Sequence, residues 1–167
     1  MSIGTAAFNF TRLSGTWINE LSSVLVLHAD KTGGLTGTYN SAVGTAEDEY
    51  IVTGRFDTTP PAGEGVALGW VVAWKNKKLD AHSATGWSGQ FYAGASHLQD
   101  TILTQWLLTS STTPANNWES TNVGTDLFKP KAAVSGRSAS EGPVVARFAS
   151  PTPEQIVAKR SSLNDLD

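Results

Sequence analysis

The sequence predicts an all-β fold, an eight-stranded antiparallel up-and-down β-barrel with a C-terminal extension. Between residues 15 and 129 it divides into short runs rich in Val, Ile, Thr, Trp and Tyr, which favour strands. Clusters of Gly, Asp, Asn and Pro separate these runs, and DKTGG at 30–34 and TTPPAGEG at 58–65 are typical of hairpin connections. No stretch of this region is typical of a crossover helix.

The predicted strands follow one another at residues 15–21, 24–29, 35–40, 50–57, 66–75, 82–93, 101–110 and 117–128. Eight consecutive strands without a crossover favour a closed barrel, which has no exposed edge and has room inside for one small ligand. A two-sheet sandwich is the alternative, and the number of strands does not distinguish the two.

The 167-residue length predicts one domain rather than two. Residues 1–13 are interpreted as an N-terminal extension, 14–129 as the barrel domain and 130–167 as a tail. The tail contains neither Trp nor Tyr and is rich in Ala, Ser and Pro. Within it, TPEQ at 152–155 has the pattern of a helix N-terminus and predicts a short helix near 153–163.

Composition excludes several classes of function. Only 16% of the residues are charged and the net charge is -3, so neither nucleic acid nor an anionic membrane is an expected partner. The absence of cysteine removes disulfides, thiolate metal sites and cysteine nucleophiles. No apolar run approaches the length of a membrane span, and a soluble protein is expected. Six tryptophans against three tyrosines indicate a ligand pocket or an interface in addition to a core.

An enzyme is not expected. The sequence has no nucleophile elbow, no P-loop, no GxGxxG pattern and no metal-type spacing of His or Cys. The three histidines, His28, His82 and His97, lie in unrelated segments.

Four segments carry a resemblance to a known family. They are SGTWINELSS at 14–23, LTGTYNSAVGTAEDEY at 35–50, ALGWVVAWKN with HSATGWSGQ at 67–90, and TQWLLTS with NNWESTNVGTDLF at 104–128. In order, spacing and residue type they resemble the avidin and streptavidin family of biotin-binding proteins, and the streptavidin branch most of all. The PPAGEGVALGW stretch is similar to fungal members. The resemblance implies a barrel that binds biotin without covalent chemistry and without a cofactor, because biotin is itself the ligand.

The resemblance also implies a set of residues that contact biotin. They are Asn19, Leu21, Ser23, Tyr39, Ser41, Val43, Thr45, Trp74, Ser83, Thr85, Trp87, Trp106, Leu108, Trp118 and Asp126. Asn19, Ser23 and Tyr39 match donors to the ureido oxygen, while Ser41 and Asp126 match acceptors of the ureido N–H groups. Thr85 matches the hydroxyl beside the ring sulfur, and Ser83 with the backbone N–H of Thr45 matches the groups that meet the carboxylate.

Trp74, Trp87 and Trp106 match the aromatic walls of the family pocket, and residues 41–48 match the lid over it. Trp118 matches the tryptophan that each subunit lends to its neighbour. Trp17 and Trp70 are interpreted as core residues instead.

A homotetramer built from dimers is implied in the same way. Gln105, Leu107 and Val123 match the interface of the family, whereas Thr125 stands where the bacterial relative has a histidine that packs between subunits. Leu79 and Asp80 replace a polar pair near the rim.

Four interpretations depend on the sequence alone at this point. The barrel is alternatively a carrier of some other small apolar ligand, although the polar set fits a compact urea better. Asp126 alternatively forms only an Asx turn. His82 is expected to form a structural ion pair with Asp57. The tail, expected to leave the barrel near the pocket mouth, either covers the opening, reaches a neighbouring subunit or is a disordered extension.

Overall fold

The computed structural model describes residues 8–42 and 48–132. Its strands form one closed barrel in the order β1-β2-β3-β4-β5-β6-β7-β8, and all neighbours, including β8 and β1, are antiparallel. This confirms the predicted up-and-down barrel and excludes the sandwich. The strands are β1 (Gly15–Ile18), β2 (Val24–Ala29), β3 (Gly34–Asn40), β4 (Tyr50–Phe56), β5 (Val66–Lys75), β6 (Asp80–Tyr92), β7 (Thr101–Ser110) and β8 (Thr121–Pro130).

Buried and exposed residues alternate along the strands, and this pattern distinguishes the side chains that point into the barrel from those on its outer surface. In β5 the buried positions are every second residue from Val66 to Trp74, and β7 alternates in the same way from Ile102 to Ser110. Because successive side chains of a strand point to opposite faces, one face of each strand lines the interior. The interior therefore receives most of the large aromatic side chains.

The two ends of the barrel differ. We call the end where β1, β3, β5 and β7 finish the mouth, and the other the closed end. At the closed end the N-terminal segment crosses the barrel and the ring of Phe8 lies 6.3 Å from Phe56 and 5.8 Å from Phe91. A 3₁₀ helix, Phe10–Leu13, follows and buries Leu13 completely. The segment before β1 thus fills this end with apolar side chains.

An ionic cluster, which we call the closed-end latch, fixes that segment to the β6–β7 connection. The carboxylate of Asp100, fully buried, accepts from Arg12 Nε at 3.1 Å and from the backbone N–H of Gly94 at 2.8 Å. Arg12 Nη2 bonds the second carboxylate oxygen as well, and His97 Nδ1 lies 2.9 Å from Asp100. A buried carboxylate is stable only with such partners.

The structure corrects several predicted strand boundaries, and the largest changes are at the end of the first strand and the start of the eighth. The first strand ends at Ile18 rather than at residue 21, because Asn19 to Ser23 form a tight turn in which Ser22 has a φ of 72°. The eighth strand begins at Thr121 rather than at residue 117, because Pro114–Glu119 form a 3₁₀ helix with proline in its first turn. Proline suits the start of a helix, since its φ is fixed and it needs no N–H partner there.

The tail does not begin near the mouth, so that prediction is wrong. Strand β8 runs from the mouth to the closed end, where Pro130 pairs with Trp17 and the N–H of Lys131 donates to Thr16 O at 2.8 Å. An even-numbered strand of an up-and-down barrel necessarily ends on the side where the first strand began. The short helix predicted near 153–163 lies outside the described residues.

Candidate functional site

A turn at the mouth fixes the carboxamide of Asn19. Its Oδ1 accepts from the backbone N–H of Ser23 at 2.9 Å and of Leu21 at 3.1 Å. Because the oxygen is occupied by the turn, Nδ2 is directed into the barrel, where it lies 3.5 Å from the hydroxyl oxygen of Tyr39. The local backbone therefore presents Asn19 to the interior as a donor.

Ser23 belongs to the same turn as Asn19, and both Ser23 and Ser41 are buried. The hydroxyl oxygen of Ser23 accepts from the backbone N–H of Ala42 at 3.3 Å. A serine hydroxyl that accepts one hydrogen bond keeps its proton for donation. The first residues of the β3–β4 connection are thus joined to the same turn that orients Asn19.

Aromatic rings line the interior next to these polar groups. Trp87 stacks on Tyr39 at 5.4 Å and on Trp70 at 5.9 Å between ring centroids. Trp74 stands edge-on to Tyr39 at 5.8 Å and to Tyr50 at 5.0 Å. Burial and the nearby Asp48 carboxylate raise the pKa of the Tyr50 phenol. The rings form one continuous apolar wall with fixed orientations.

Two of the indoles are held by hydrogen bonds to side chains of nearby strands. Trp74 Nε1 donates to Thr85 Oγ1 at 2.7 Å, and Trp87 Nε1 donates to Asp126 Oδ2 at 2.7 Å. Asp126 is 2% exposed, so its carboxylate lies within the barrel and not in an Asx turn at the surface. A buried carboxylate is a strong acceptor, because hydrogen bonds to an ionised group are shorter and stronger than neutral ones.

The ring of Trp106 lies against the backbone of β8. Trp106 pairs in register with Gly124, and a Cβ placed on Gly124 would overlap the indole ring. A glycine at this position therefore allows the ring to lie flat on the inner wall, between the positions occupied by Asn122 and Asp126 on the same strand.

The structure brings together twelve of the fifteen residues expected to contact the ligand. They line the interior from the mouth to just past the middle of the barrel: Asn19, Leu21, Ser23, Tyr39, Ser41, Trp74, Ser83, Thr85, Trp87, Trp106, Leu108 and Asp126. Trp118 is separate: it lies on the 3₁₀ helix between β7 and β8 and is 82% exposed. Val43 and Thr45 lie outside the described residues, as does most of the expected lid.

Sequence reasoning missed two inward residues of this region. Tyr50 is buried against Trp74, and Asn122 faces the interior from the mouth end of β8. Alternation along β8, counted from Asp126, would have found Asn122, and alternation along β4, counted from Val52, would have found Tyr50.

An apolar groove lies on the outer surface of the barrel. Val71, Leu107 and Val123 contribute to it with exposed fractions of 54%, 56% and 66%, and Gln105 and Thr125 lie beside them. These side chains point away from the interior, so the groove is distinct from the site within the barrel.

The expected ion pair between His82 and Asp57 is wrong. His82 Nδ1 lies 3.3 Å from Asp80 at the mouth, whereas Asp57 lies at the closed end, where its backbone N–H donates to Ala67 O. Asp80 also pairs with Lys75 at 2.8 Å, which lowers the pKa of the carboxyl and raises that of the ammonium. His82 is eight positions along β6 from Gln90, the neighbour of Ala67 in the sheet.

The fold and the site together define a binding protein: a closed barrel whose mouth holds aromatic walls and oriented polar groups. The sequence model of the avidin family matches residues 7–131, and the chain belongs to that family. Avidin-related protein 4/5 of Gallus gallus is 27% identical over 118 residues, which cover 70% of this chain and 75% of that protein. Avidin family proteins are binding proteins, and membership supports biotin binding in general.

Residues 8–42 and 48–132 contain no group of three or more His, Asp or Glu side chains arranged to hold a metal ion. Within the same ranges, no helix has the length and apolar character needed to cross a membrane.

Proposed function

We propose that this protein binds biotin non-covalently and with high affinity inside the mouth of the barrel. The observation that carries the proposal is the arrangement of donors and acceptor. Asn19 is turned into the barrel as a donor by its own turn, and the buried carboxylate of Asp126 faces the same interior as an acceptor. A cyclic urea needs both kinds of group, because it has one oxygen and two N–H groups.

The ureido oxygen is proposed to accept from Asn19, Ser23 and Tyr39. Three donors aimed at one oxygen polarise the urea toward an oxyanion, as the donors of an oxyanion hole do. Here the polarisation would strengthen binding and lead to no reaction. Asp126 and Ser41 are proposed to accept from the two N–H groups, and the carboxylate would give the stronger bond.

The bicyclic ring is proposed to lie between the indoles of Trp74, Trp87 and Trp106. The bond from Trp74 to Thr85 supports a role for Thr85 as well. Because its oxygen accepts from the indole, its proton remains available for the ring sulfur, a weak acceptor. Leu21 and Leu108 would add apolar contacts.

The carboxylate end of biotin is proposed to meet Ser83 and the backbone N–H of Thr45, under a lid of residues 41–48. Ser83 Oγ is buried and makes no hydrogen bond within the described part of the chain. A buried hydroxyl without a partner is unfavourable, so a ligand oxygen at this position would satisfy it.

A homotetramer is proposed, in which Trp118 completes the site of a neighbouring subunit. The proposal is supported by large apolar side chains that are exposed in the single chain. Trp118 at the mouth is 82% exposed, and the outer groove presents Val71, Leu107 and Val123. Exposed apolar surface of this kind marks interaction sites. Light scattering coupled to size exclusion is expected to give four chains per particle, and a monomer with full affinity would contradict the borrowed tryptophan.

We also propose a domain organisation and a biological role for this protein. Residues 14–129 are proposed as the barrel domain, 1–13 as an extension that contributes to it and 130–167 as a tail. The protein is proposed to act by sequestering biotin, with no catalysis and no cofactor.

Calorimetric titration with biotin tests the proposed function. Binding of one biotin per chain is expected, with quenching of tryptophan fluorescence because three indoles line the site. An Asp126→Ala variant should bind more weakly by about 10- to 150-fold, since a charge-assisted bond contributes about 1.5–3 kcal/mol, and loss of the Trp87 acceptor would add to this. The matched control is Asp57→Ala, an exposed carboxylate at the closed end. No heat and no quenching with the unaltered protein would refute biotin binding.

A further inference from the structure

The inward row of β8 connects the deep part of the site to the mouth. Its members are Asn122, Gly124, Asp126 and Phe128, in order from the mouth to the closed end. The ring of Trp106 covers Gly124, so Asn122 and Asp126 stand at opposite edges of that indole. The two side chains are four residues apart, roughly 13 Å along a strand.

A second row of residues runs along the barrel wall, over three neighbouring strands, at the level of Asn122. Thr85 of β6 pairs with Leu108 of β7, and Leu108 pairs with Asn122 of β8. Thr85 and Leu108 belong to the proposed ligand contacts, and Asn122 completes the row on the third strand. Ser83 precedes Thr85 on the same face of β6 and is one step nearer to the mouth, where this strand begins.

The side-chain amide of Asn122 is buried without a hydrogen-bond acceptor among the described residues, although the residue lies near the mouth. Its Nδ2 is buried, and within the described ranges no group accepts a hydrogen bond from it; the Ser83 hydroxyl nearby is in the same state. Leaving a buried amide unsatisfied is unfavourable, and most buried polar groups in proteins have a partner. Two such groups on the same stretch of wall indicate a place built for a ligand oxygen.

We propose that Asn122 is a further ligand-binding residue, whose amide donates to the oxygen at the acyl end of biotin. The inference rests on the proposed function and deepens it. The ring system lies against Trp106 with its ureido group at Asp126, and the chain runs along the indole toward Asn122 and Ser83. Because the carboxamide is an uncharged donor, it accepts either a free carboxylate or the carbonyl of an amide-linked biotin.

The test compares dissociation rates of three ligands: biotin, biotin amide and an analogue whose chain ends in a methyl group. Asn122→Leu should release biotin about 5- to 30-fold faster, the range for loss of one hydrogen bond. For the methyl-ended analogue the same substitution should have little effect, because that ligand has no oxygen for the amide to reach. Asn40→Leu, the same change at an exposed position of β3, is the matched control.

An Asn122→Asp variant provides an independent readout that a purely structural role would not give. The carboxylate should repel free biotin and weaken its binding more than that of biotin amide. Equal dissociation rates for the unaltered protein and Asn122→Leu, or equal losses for all three ligands, would overturn the role of Asn122 while leaving biotin binding in place. Failure of the unaltered protein to bind biotin would overturn both proposals.

Discussion

Replacing Asp100 by asparagine is expected to destabilise the fold strongly without changing the ligand site. The Asp100 side chain is fully buried in the closed-end latch, and Arg12, Gly94 and His97 all direct donors at it. An asparagine has the same shape but only one oxygen, and its NH₂ group would face the guanidinium of Arg12. The substitution therefore removes the counter-charge and leaves at least one donor without an acceptor.

The expected loss follows from the burial of the two partners. Breaking a buried ion pair by removing one member costs about 3–5 kcal/mol. The side chain of Arg12 is 27% exposed, so water compensates part of its charge and the lower value, about 3 kcal/mol, is expected. For a chain of this size that corresponds to a decrease of roughly 6–12 °C in the melting temperature.

Thermal and urea unfolding of the biotin-free protein, followed by tryptophan fluorescence, would measure the loss. Asp57→Asn is the control, because this carboxylate lies at the same end but is exposed. An Arg12→Met, Asp100→Asn double variant should recover part of the stability, since it leaves no isolated charge. A loss below about 1 kcal/mol in the single variant would refute the assignment of the latch as a stabilising ion pair.

Three further predictions concern the site and the turns. Gly124→Ala should displace the Trp106 ring, reduce stability by about 1–3 kcal/mol and accelerate biotin release, as measured by unfolding and by ligand chase; an unaltered release rate would contradict the close contact. Thr85→Val removes the acceptor of Trp74 Nε1 and should cost about 1–3 kcal/mol in chemical denaturation, whereas no change would mean that the indole finds another partner. Hydrogen bonds from the turn lower the pKa of Asp30 below its ordinary 3.8. Its contribution to stability is therefore present above that value and is lost as the pH falls through the folded-state pKa, so Asp30→Asn should show a weaker loss of stability on acidification.

The barrel could be predicted because its signals are local. Turn clusters and alternating apolar residues mark each strand, and the absence of a crossover leaves few ways to connect eight of them. The boundary errors are also local: the turn after Ile18 depends on the Asn19 side chain, and residues 117–119, predicted as the start of the eighth strand, belong to the 3₁₀ helix Pro114–Glu119. The Thr113-Pro114 pair was the available signal for that helix.

The closed-end latch could not be predicted in the same way. Arg12 and Asp100 are 88 residues apart in the chain, and neither belongs to a recognisable pattern. Whether these two residues meet depends on the register of every strand between them. A change in the register of one strand would move the connections that come after it. For the same reason the sequence did not reveal that the tail begins at the closed end.

The barrel separates the groups that stabilise it from the groups proposed to bind. Buried polar groups at the mouth, such as Ser83 and Asn122, reduce stability when they have no partner. At the closed end, Phe8 and Leu13 pack into the barrel and the latch holds their segment in place. Natural proteins commonly tolerate such local costs at functional sites when other parts of the fold compensate for them. The N-terminal segment is therefore part of the folded barrel, and its packing allows the mouth to keep oriented donors and acceptors that a purely apolar core would exclude.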